Sequence, residues 1–411
     1  MAPKKQDRDY DVVLLGATGY TGLLTAEHIV EHLPTSLRWA IAGRSRTKLD
    51  ALASRLKKLG PDKIQPAIEV VSVEDQDQLD AVVRKAKVCL SVVLYFSVGR
   101  HVVRACVENG TDYLDVTGNI AELYSWIEDY HEKAKANNVA LIHACGAFSA
   151  PHDLLAWAAA RELKKATSSD TSEAVLSVKK ITMSPSGGTV ESIMSKSTVD
   201  PKTQEDARGP WSLSPLKGVT ATVPTNIFGV RHVPHLGLLA NSCFGLAQDR
   251  AIVHRTWGLL GGEYGPNFKY TEYESVGSTL GGVAKILSGF LLGVALSFKP
   301  TLPLVRRFLP AQGDGPDTEK TKLQDVELEA VALADTQQPE GQGKNGFARL
   351  SYKGDTYHLT GALLAQGAAS LLYKREFEGG LRAGCLTPAI LGDDFLDRLR
   401  GVGLSFEASI V

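Results

Sequence analysis

Three glycines near the N-terminus have the spacing that holds a dinucleotide pyrophosphate. Gly16, Gly19 and Gly22 follow the apolar run Val12 to Leu15 and precede a segment of helical apolar periodicity. The first glycine permits a tight turn, the second lets the main chain approach the pyrophosphate, and the third lets the helix lie close to the sheet. Amides at the start of that helix would bind the phosphates. We therefore predict a cofactor loop of Gly16, Thr18, Gly19, Tyr20, Thr21 and Gly22.

A basic turn follows the second predicted strand, at the position that selects between NAD and NADP. Leu37 to Ala42 forms that strand, and Gly43, Arg44 and Ser45 come next. In an NAD-selective fold an acidic residue binds the ribose 2′-hydroxyl here. A guanidinium instead pairs with the 2′-phosphate of NADP and stacks on adenine. Arg44, helped by Ser45 or Arg46, therefore indicates NADP(H), and a solvated turn that binds nothing is the structural alternative.

Polar residues that follow two later strands should reach the same edge of the sheet. Val88 to Leu94 is predicted to be a central strand that ends at Tyr95, and Asp112 to Val116 delivers Thr117 and Gly118. Ligands of parallel sheets bind beyond the carboxyl ends of the strands. We therefore expect Thr117 and Gly118 to contact the cofactor and Tyr95 to lie near the nicotinamide.

Tyr95, His152 and Asp153 are the candidates for the proton that accompanies a hydride transfer. A tyrosine hydroxyl can donate to an enolate oxygen, and a histidine titrates in the range suited to acid catalysis near neutral pH. Packing of the tyrosine and capping or solvation of the histidine are the structural alternatives. No metal site is expected, because the sequence contains neither a CxxC pair nor a His-Glu-x-x-His helix.

Composition narrows the class of protein and the compartment. The formal charge of -1 and the lack of a basic stripe with interleaved aromatic residues argue against nucleic acid as a partner. The N-terminus has no apolar signal-peptide core. A reducing, cytoplasmic location is therefore expected, and it agrees with the scattered positions of the cysteines, Cys89, Cys106, Cys145, Cys243 and Cys385.

The alternation of predicted strands and helices places these residues in an α/β fold. A chain of 411 residues suits two or three domains. Residues 1–150 are predicted to form a Rossmann-type, doubly wound parallel sheet. The pattern then changes to strands among helices, which predicts a second, mixed α+β domain over residues 151–375 that could serve substrate binding and dimerisation.

Residues 286–298 (ILSGFLLGVALSF) form an apolar segment between Lys285 and Lys299. The segment is too short to span a bilayer, which takes about 20 helical residues. One interpretation is a buried helix of the second domain. The other is an interfacial helix on a membrane or lipid droplet, with Arg306 and Arg307 beside it.

Five patches, in order along nearly the whole chain, resemble one family. They are GATGYTG, AGRSRTKL, YLDVTGN at Tyr113 to Asn119, SGGTVES at Ser186 to Ser192, and GGLRAGCLTPAILGDDFLDRL near the C-terminus. Together they resemble the saccharopine dehydrogenase-like oxidoreductases, a group that includes microbial trans-acting enoyl reductases. The resemblance implies NADP(H)-dependent reduction of an unsaturated, lipid-like or polyketide-like substrate. It also implies a dinucleotide-binding domain completed by C-terminal residues, here 376–411.

The chain departs from the family pattern at two places near the expected nicotinamide. The run Gly146 to Asp153 keeps Ser149 and Pro151 but has Phe148 and His152 where relatives have an acidic residue and a serine. The Gly-Pro-Tyr or Gly-Pro-Phe that is usual after the fourth strand is replaced by YFSVG, which begins at Tyr95. Both changes fall where cofactor and substrate should meet, so they bear on the reaction more than on the cofactor.

These observations predict an NADP(H)-dependent oxidoreductase of specialised metabolism. Its partner would be a small apolar substrate of polyketide, acyl or terpenoid type, with an activated C=C or C=N bond to reduce. A non-catalytic NADP-binding sensor or scaffold at a lipid surface, and a non-redox cyclase or isomerase on the same fold, are the alternatives. Peripheral contact with lipid and a homodimer are further expectations.

Overall fold

The computed structural model describes residues 5–182, 184–194, 199–220, 224–243, 245–297, 310, 314–335, 343–374 and 377–411. Within these residues the chain forms two seven-stranded sheets. Several positions named above lie outside them: the C-terminal end of the apolar segment at Phe298, the flanking Lys299, Arg306 and Arg307, and the domain boundary at 375/376.

The elements alternate regularly in the first part of the chain and irregularly in the second. Up to residue 142 they are β1 (Tyr10–Leu15), α1 (Tyr20–His32), β2 (Trp39–Gly43), α2 (Arg46–Leu59), β3 (Ala67–Val70), α3 (Gln76–Arg84), β4 (Ala86–Ser91), α4 (Arg100–Asn109), β5 (Asp112–Asp115), α5 (Ile120–Ala136) and β6 (Ala140–Ile142). From residue 150 they are α6 (Ala150–Thr167), β7 (Thr171–Lys180), α7 (Gly187–Met194), α8 (Pro201–Asp206), β8 (Val230–Val233), β9 (Gly237–Ala240), α9 (Leu246–Leu259), β10 (Tyr270–Ser275), α10 (Thr279–Ser297), α11 (Thr318–Thr321), β11 (Asp325–Ala334), β12 (Gly346–Lys353), α12 (Thr356–Tyr373), β13 (Gly384–Leu386), α13 (Gly392–Gly401) and β14 (Ser405–Ile410).

The first sheet is wholly parallel, in the order β13-β6-β5-β4-β1-β2-β3. Strands β3-β2-β1-β4-β5-β6 give the Rossmann order, in which the strand order reverses beside β1. Helices α1 and α12 pack together on one face, and α3, α4 and α5 pack side by side on the other. The predicted fold class is confirmed.

Strand β1 is apolar throughout because both faces of this sheet are covered. Val12 and Leu14 belong to the core on the side of α1, whereas Val13 and Leu15 belong to the core on the side of α4. A strand buried on both faces needs a continuous apolar run rather than an alternating one. This requirement explains the run that precedes Gly16.

The second sheet is mixed, in the order β14-β12-β11-β7-β10-β9-β8. Only β7 and β10 are parallel neighbours in it, and the other pairs are antiparallel. Helix α6 lies across β7, β11 and β12, with α9 beside it. The predicted second α+β unit is therefore present.

The two sheets share one apolar core. It runs from α1 and α12, through Leu154 and Leu155 of α6, to Leu176 and Leu328 of the second sheet. Two elements cross the predicted domain boundaries. Helix α12, predicted within 151–375, packs on α1 of the first domain. In the predicted C-terminal unit, β13 joins the first sheet but β14 pairs with β12 in the second.

Helix α10 contains most of the apolar segment and presents it to solvent. Leu280 is 80% exposed and Phe290 is 66% exposed, and Leu287, Leu291 and Val294 are also exposed. The interpretation as a buried helix is therefore wrong for these side chains. Among the described helices, none has the length and apolarity that crossing a membrane requires.

Candidate functional site

A cleft of about 690 Å³ opens at the carboxyl edge of the first sheet, facing the second sheet. One wall consists of the residues after β4, β5 and β6, and the other comes from α7, α9 and the start of α12. It lies where a parallel sheet of this order binds its ligands. The cleft therefore joins the predicted cofactor edge to the second sheet and its helices.

The glycine loop has the geometry of a phosphate cradle. Gly16 has φ +81°, and a Cβ there would lie 3.1 Å from the main chain of Val92. A Cβ on Gly22 would collide with the carbonyl oxygen of Gly16. Gly19 caps α1 without a side chain, which leaves the first amides of the helix open to a ligand. The local geometry fits a bound pyrophosphate.

The other loop residues surround this cradle. Thr18 lies against Gly43 at the end of β2. The ring of Tyr20 packs edge-on against Tyr357 of α12, with ring centroids 5.0 Å apart. Thr21 lines the cleft. The predicted loop residues are thus brought together between β1, β2 and α12.

Arg44 and Ser45 follow β2 beside the loop. Ser45 caps α2, and its hydroxyl accepts a hydrogen bond from the amide of Lys48. Arg44 is exposed, and its guanidinium has no hydrogen bond or ion pair within the described part of the chain. Arg46, in contrast, pairs with Asp50 at 3.0 Å. Arg44 is therefore the guanidinium that is available to a 2′-phosphate.

A buried ion pair fixes the loop that carries Thr117 and Gly118. Asp115 accepts from Nδ1 of His143 at 2.8 Å and from the amides of Thr117 and Ala144. Burial alone would lower the pKa of His143, but the charge and hydrogen bond of Asp115 outweigh it and raise the pKa to about 9. Gly118 lines the cleft. The buried hydroxyl of Thr117 has no partner among the described residues, so it can serve a ligand.

Tyr95 begins a π-helical turn, Tyr95–Gly99, between β4 and α4, and it lines the cleft. Its hydroxyl lies close to Gly118. Burial raises the pKa of Tyr95 in spite of the opposing effect of the nearby Ser192 hydroxyl. The phenol therefore stays protonated near neutral pH and can act as a donor.

His152 lies behind the cleft wall in a buried cluster. Its Nε2 lies 3.9 Å from Oδ2 of Asp249 and 3.7 Å from Oε1 of Glu272. Burial lowers the pKa of His152. Burial, and next the charge of Asp249, raise the pKa of Glu272.

Asp153 points away from the cleft. Its carboxylate accepts from the hydroxyl of Thr256 at 2.6 Å and from the amide of Ala389 at 2.8 Å. Burial raises the pKa of Asp153 to about 7. These contacts hold α6, α9 and the C-terminal segment together. They indicate that Asp153 positions these elements rather than contacting a ligand in the cleft.

Part of the opposite wall comes from the SGGTVES patch and from residues that the sequence did not single out. Ser186, Thr189 and Ser192 line the cleft, and the hydroxyl of Tyr357 donates to or accepts from Thr189 and accepts from the amide of Ser186. Several other contributors were unpredicted, among them Gln248, Asp249, Arg208 and Thr360.

Ser149 connects the altered Gly146 to Asp153 run to this wall. It has φ +127°, an unusual value for a residue other than glycine. Its buried hydroxyl donates to Oδ1 of Asp249 at 2.7 Å and accepts from Nε2 of the Gln248 side chain at 3.1 Å. The strained turn thereby aims Ser149 at α9.

Comparisons with known proteins agree with this geometry. Residues 12–142 match the family model described as the saccharopine dehydrogenase NADP binding domain. A Mycobacterium tuberculosis protein provisionally named a trans-acting enoyl reductase is 33% identical over 425 residues, with 98% of each chain covered. The trans-acting enoyl reductase of Mycobacterium leprae is 29% identical over 425 residues, again with 98% of each chain covered.

Among solved structures, the apo saccharopine dehydrogenase (L-Glu forming) of Saccharomyces cerevisiae aligns with a TM-score of 0.49 and 12% identity, over 98% of this chain and 100% of that chain. The family model confirms the NADP(H) cofactor that the basic turn predicted. The full-length relatives confirm the resemblance carried by the five patches. The chain belongs to the saccharopine dehydrogenase-like oxidoreductases, the NADP(H)-dependent enzymes that include the trans-acting enoyl reductases.

Proposed function

We propose that this protein uses NADPH as the hydride donor to reduce an activated C=C or C=N bond. The substrate would be apolar and of acyl, polyketide or terpenoid type. The apolar walls of the cleft support this proposal, because they would exclude water from such a substrate. Phe148 contributes to them at the position where relatives carry an acidic residue. The other apolar side chains of these walls include Val92, Val93, Leu94, Val116 and Ile120.

The observation that carries the proposal is the protonated phenol of Tyr95 in the cleft, close to Gly118. When an enoyl carbonyl compound is reduced, the hydride bonds to the β-carbon and the π-electron pair moves toward the carbonyl oxygen. The charge on that oxygen needs a donor that is already in position. Tyr95 would donate its hydrogen bond, and then its proton, to this oxygen. The enol would tautomerise to the saturated carbonyl compound, and solvent would return a proton to the phenolate.

The cofactor supplies the hydride and the protein supplies its position. Gly16 and the first amides of α1 would hold the pyrophosphate, and Arg44 would hold the 2′-phosphate. Gly118 and Tyr95, which line the cleft, would face the nicotinamide end of the cofactor. SGGTVES lines the opposite wall and would contact the substrate.

The test follows the absorbance of NADPH with a panel of enones and unsaturated acyl thioesters. Tyr95→Phe should lower kcat by about 10²- to 10⁴-fold while NADPH affinity is kept, because the phenol acts on the substrate. Tyr373→Phe, at an exposed tyrosine outside the cleft, is the matched control. Equal kcat for the wild type and Tyr95→Phe would contradict the assignment.

The same assay separates the other candidate functions. NADPH binding without turnover across the panel would favour a sensor. Product mass distinguishes reduction, which adds two hydrogens, from cyclisation or isomerisation, which leaves the mass unchanged.

A lipid surface is the proposed source of the apolar substrate. Leu280, Leu287, Phe290, Leu291 and Val294 share one face of α10, since their spacing returns to the same side of a helix. An apolar face of this kind binds lipid by lying in the interface plane. The described part of α10 packs against β8 and β9 through its opposite face.

Partition with liposomes tests this contact. Leu291→Glu should reduce the bound fraction without unfolding the protein, because Leu291 is 58% exposed. Ser288→Glu, at an exposed polar residue of the same helix, controls for added charge. If Leu291→Glu instead converts a dimer to a monomer and leaves partition unchanged, the face is a homodimer contact.

A further inference from the structure

His152, Asp249 and Glu272 bring three metal-binding atoms to one buried point. Each offers one such atom, and all three atoms lie within 4.8 Å of one another. The three side chains are nearly inaccessible to solvent. They come from α6, α9 and β10, so only the tertiary fold unites them.

In each carboxylate one oxygen accepts a hydrogen bond from a hydroxyl, and the thiol of Cys243 also lies beside Glu272. Ser149 donates to Oδ1 of Asp249 at 2.7 Å, and Tyr270 donates to Oε2 of Glu272 at 3.2 Å. The remaining oxygens, Oδ2 of Asp249 and Oε1 of Glu272, are the ones nearest to Nε2 of His152. Oδ2 of Asp249 is buried and has no hydrogen-bond partner among the described residues.

The separations are those of ligands around a common centre rather than of a direct ion pair. His143 and Asp115 show the direct geometry in the same protein, with N and O 2.8 Å apart. Nε2 of His152 stays 3.7 and 3.9 Å from its two carboxylate oxygens. Ligand atoms about 2.0 to 2.2 Å from a tetrahedral zinc ion are separated by roughly 3.4 Å.

We propose that His152, Asp249 and Glu272 bind a divalent transition-metal cation of the zinc type. An imidazole with two carboxylates suits such an ion, whereas magnesium and calcium prefer oxygen ligands alone. Ser149 and Tyr270 are the supporting groups that orient the carboxylates, as outer hydrogen bonds do at metal sites.

Three protein ligands leave a fourth position for water or substrate. Asp249 also lines the cleft, so the cation would lie one side chain away from the substrate space. There it could polarise a substrate carbonyl as a Lewis acid. The metal site itself does not rest on the proposed reduction.

The test uses the full-length protein with an affinity tag that contains no histidine, stripped with a chelator and then dialysed. Cobalt(II) is titrated in as a probe, and its visible absorption reports both binding and coordination geometry. We expect one tightly bound cobalt per chain with the intense bands of a tetrahedral site, which zinc then displaces. Elemental analysis after gel filtration gives the stoichiometry.

Variants locate the binding. Glu272→Gln should abolish the cobalt bands, whereas Glu274→Gln, two residues along the same strand and outside the cluster, should keep them. Ser149→Ala should weaken affinity by roughly 10- to 100-fold, because it loosens Asp249 without removing a ligand. Thermal melting of each variant verifies folding.

Two results would overturn the proposal. One is a wild-type protein that retains no cobalt or zinc after gel filtration. The other is a folded Glu272→Gln variant that binds the metal as the wild type does. Neither readout needs cofactor or substrate, so the metal test and the reductase assay are independent. Failure of one does not change the conclusion drawn from the other.

Discussion

At the scale of a single residue, we propose that the choice of cofactor depends on Arg44. Its guanidinium is exposed at the end of β2 and forms no hydrogen bond or ion pair within the described residues. No existing interaction would therefore have to break before Arg44 binds a phosphate. Arg44→Ala should weaken NADPH binding by about 1.5 to 3 kcal/mol, the contribution of a charge-assisted hydrogen-bonded pair. NADH, which lacks the 2′-phosphate, should bind almost as before. Calorimetric titration of both cofactors measures the difference.

Arg46→Ala is the matched control for Arg44. Arg46 is two residues away and equally basic, but its guanidinium is already paired with Asp50 on the surface of α2. Surface pairs of this kind contribute little, so its removal should leave both affinities nearly unchanged. An equal loss of NADPH and NADH affinity in Arg44→Ala would contradict the assignment of the 2′-phosphate site.

The ion pair of His143 and Asp115 links the ends of β5 and β6 at the scale of elements. The pKa of His143 is raised to about 9 in the folded protein, from about 6.5 in the unfolded chain. The ion pair therefore contributes fully to the free energy of unfolding below pH 6.5, and this contribution is lost as the pH rises through 9. Burial alone would raise the pKa of Asp115, but the charge and hydrogen bond of His143 lower it. The stability that the ionised carboxylate contributes is therefore lost as the pH falls below about 4.

Chemical denaturation of wild type and His143→Gln between pH 5 and 10 checks this pair. The difference in free energy of unfolding between them should shrink by roughly 1 to 3 kcal/mol from pH 6 to pH 9.5. The difference must be used, because His28 and His254 have pKa values lowered to about 3 and give the opposite slope. A difference that is constant with pH would mean that His143 is neutral in the folded protein.

The elements that sequence predicted correctly are those whose contacts are local. The strand, glycine loop and helix at Val12 to His32 form one βα unit, and the signal lies within that unit. Tyr95 was predicted at the correct edge of the sheet because it comes after a central parallel strand, although β4 ends at Ser91 rather than at the predicted Leu94. The exposure of α10 could not be predicted from its apolar sequence, because a buried helix and a lipid-facing helix have the same composition.

The part of the site that sequence missed depends on long-range packing. Asp249 meets Ser149 and His152 only because α9 packs against α6, and no spacing along the chain reports that contact. A signal was nevertheless present in β10, where Glu272 lies between Tyr270 and Tyr273 in the buried part of the strand. An acidic residue in such a strand is rarely tolerated without a partner.

At the scale of the whole molecule, residues 1–150 do not supply the complete sheet and core of the cofactor domain. The first sheet takes its last strand, β13, from the C-terminal part, where it pairs with β6. Its face beside α1 is covered by α12, and Gln366 of that helix donates to the ring of His28. Two sequentially distant segments therefore complete the domain that binds NADP(H).

The isolated fragment 1–150 should consequently fail to fold cooperatively. It loses α12, whose buried leucines contribute about 1.5 to 3 kcal/mol each, including Leu359, Leu363, Leu364 and Leu371. Their combined contribution is comparable with the whole stability of a typical domain, about 5 to 15 kcal/mol. Circular dichroism melting and limited proteolysis of the fragment measure this. Co-expression with residues 151–411 should restore protection and NADPH binding, whereas a sharp melt and cofactor binding by the fragment alone would show that α12 and β13 are dispensable to it.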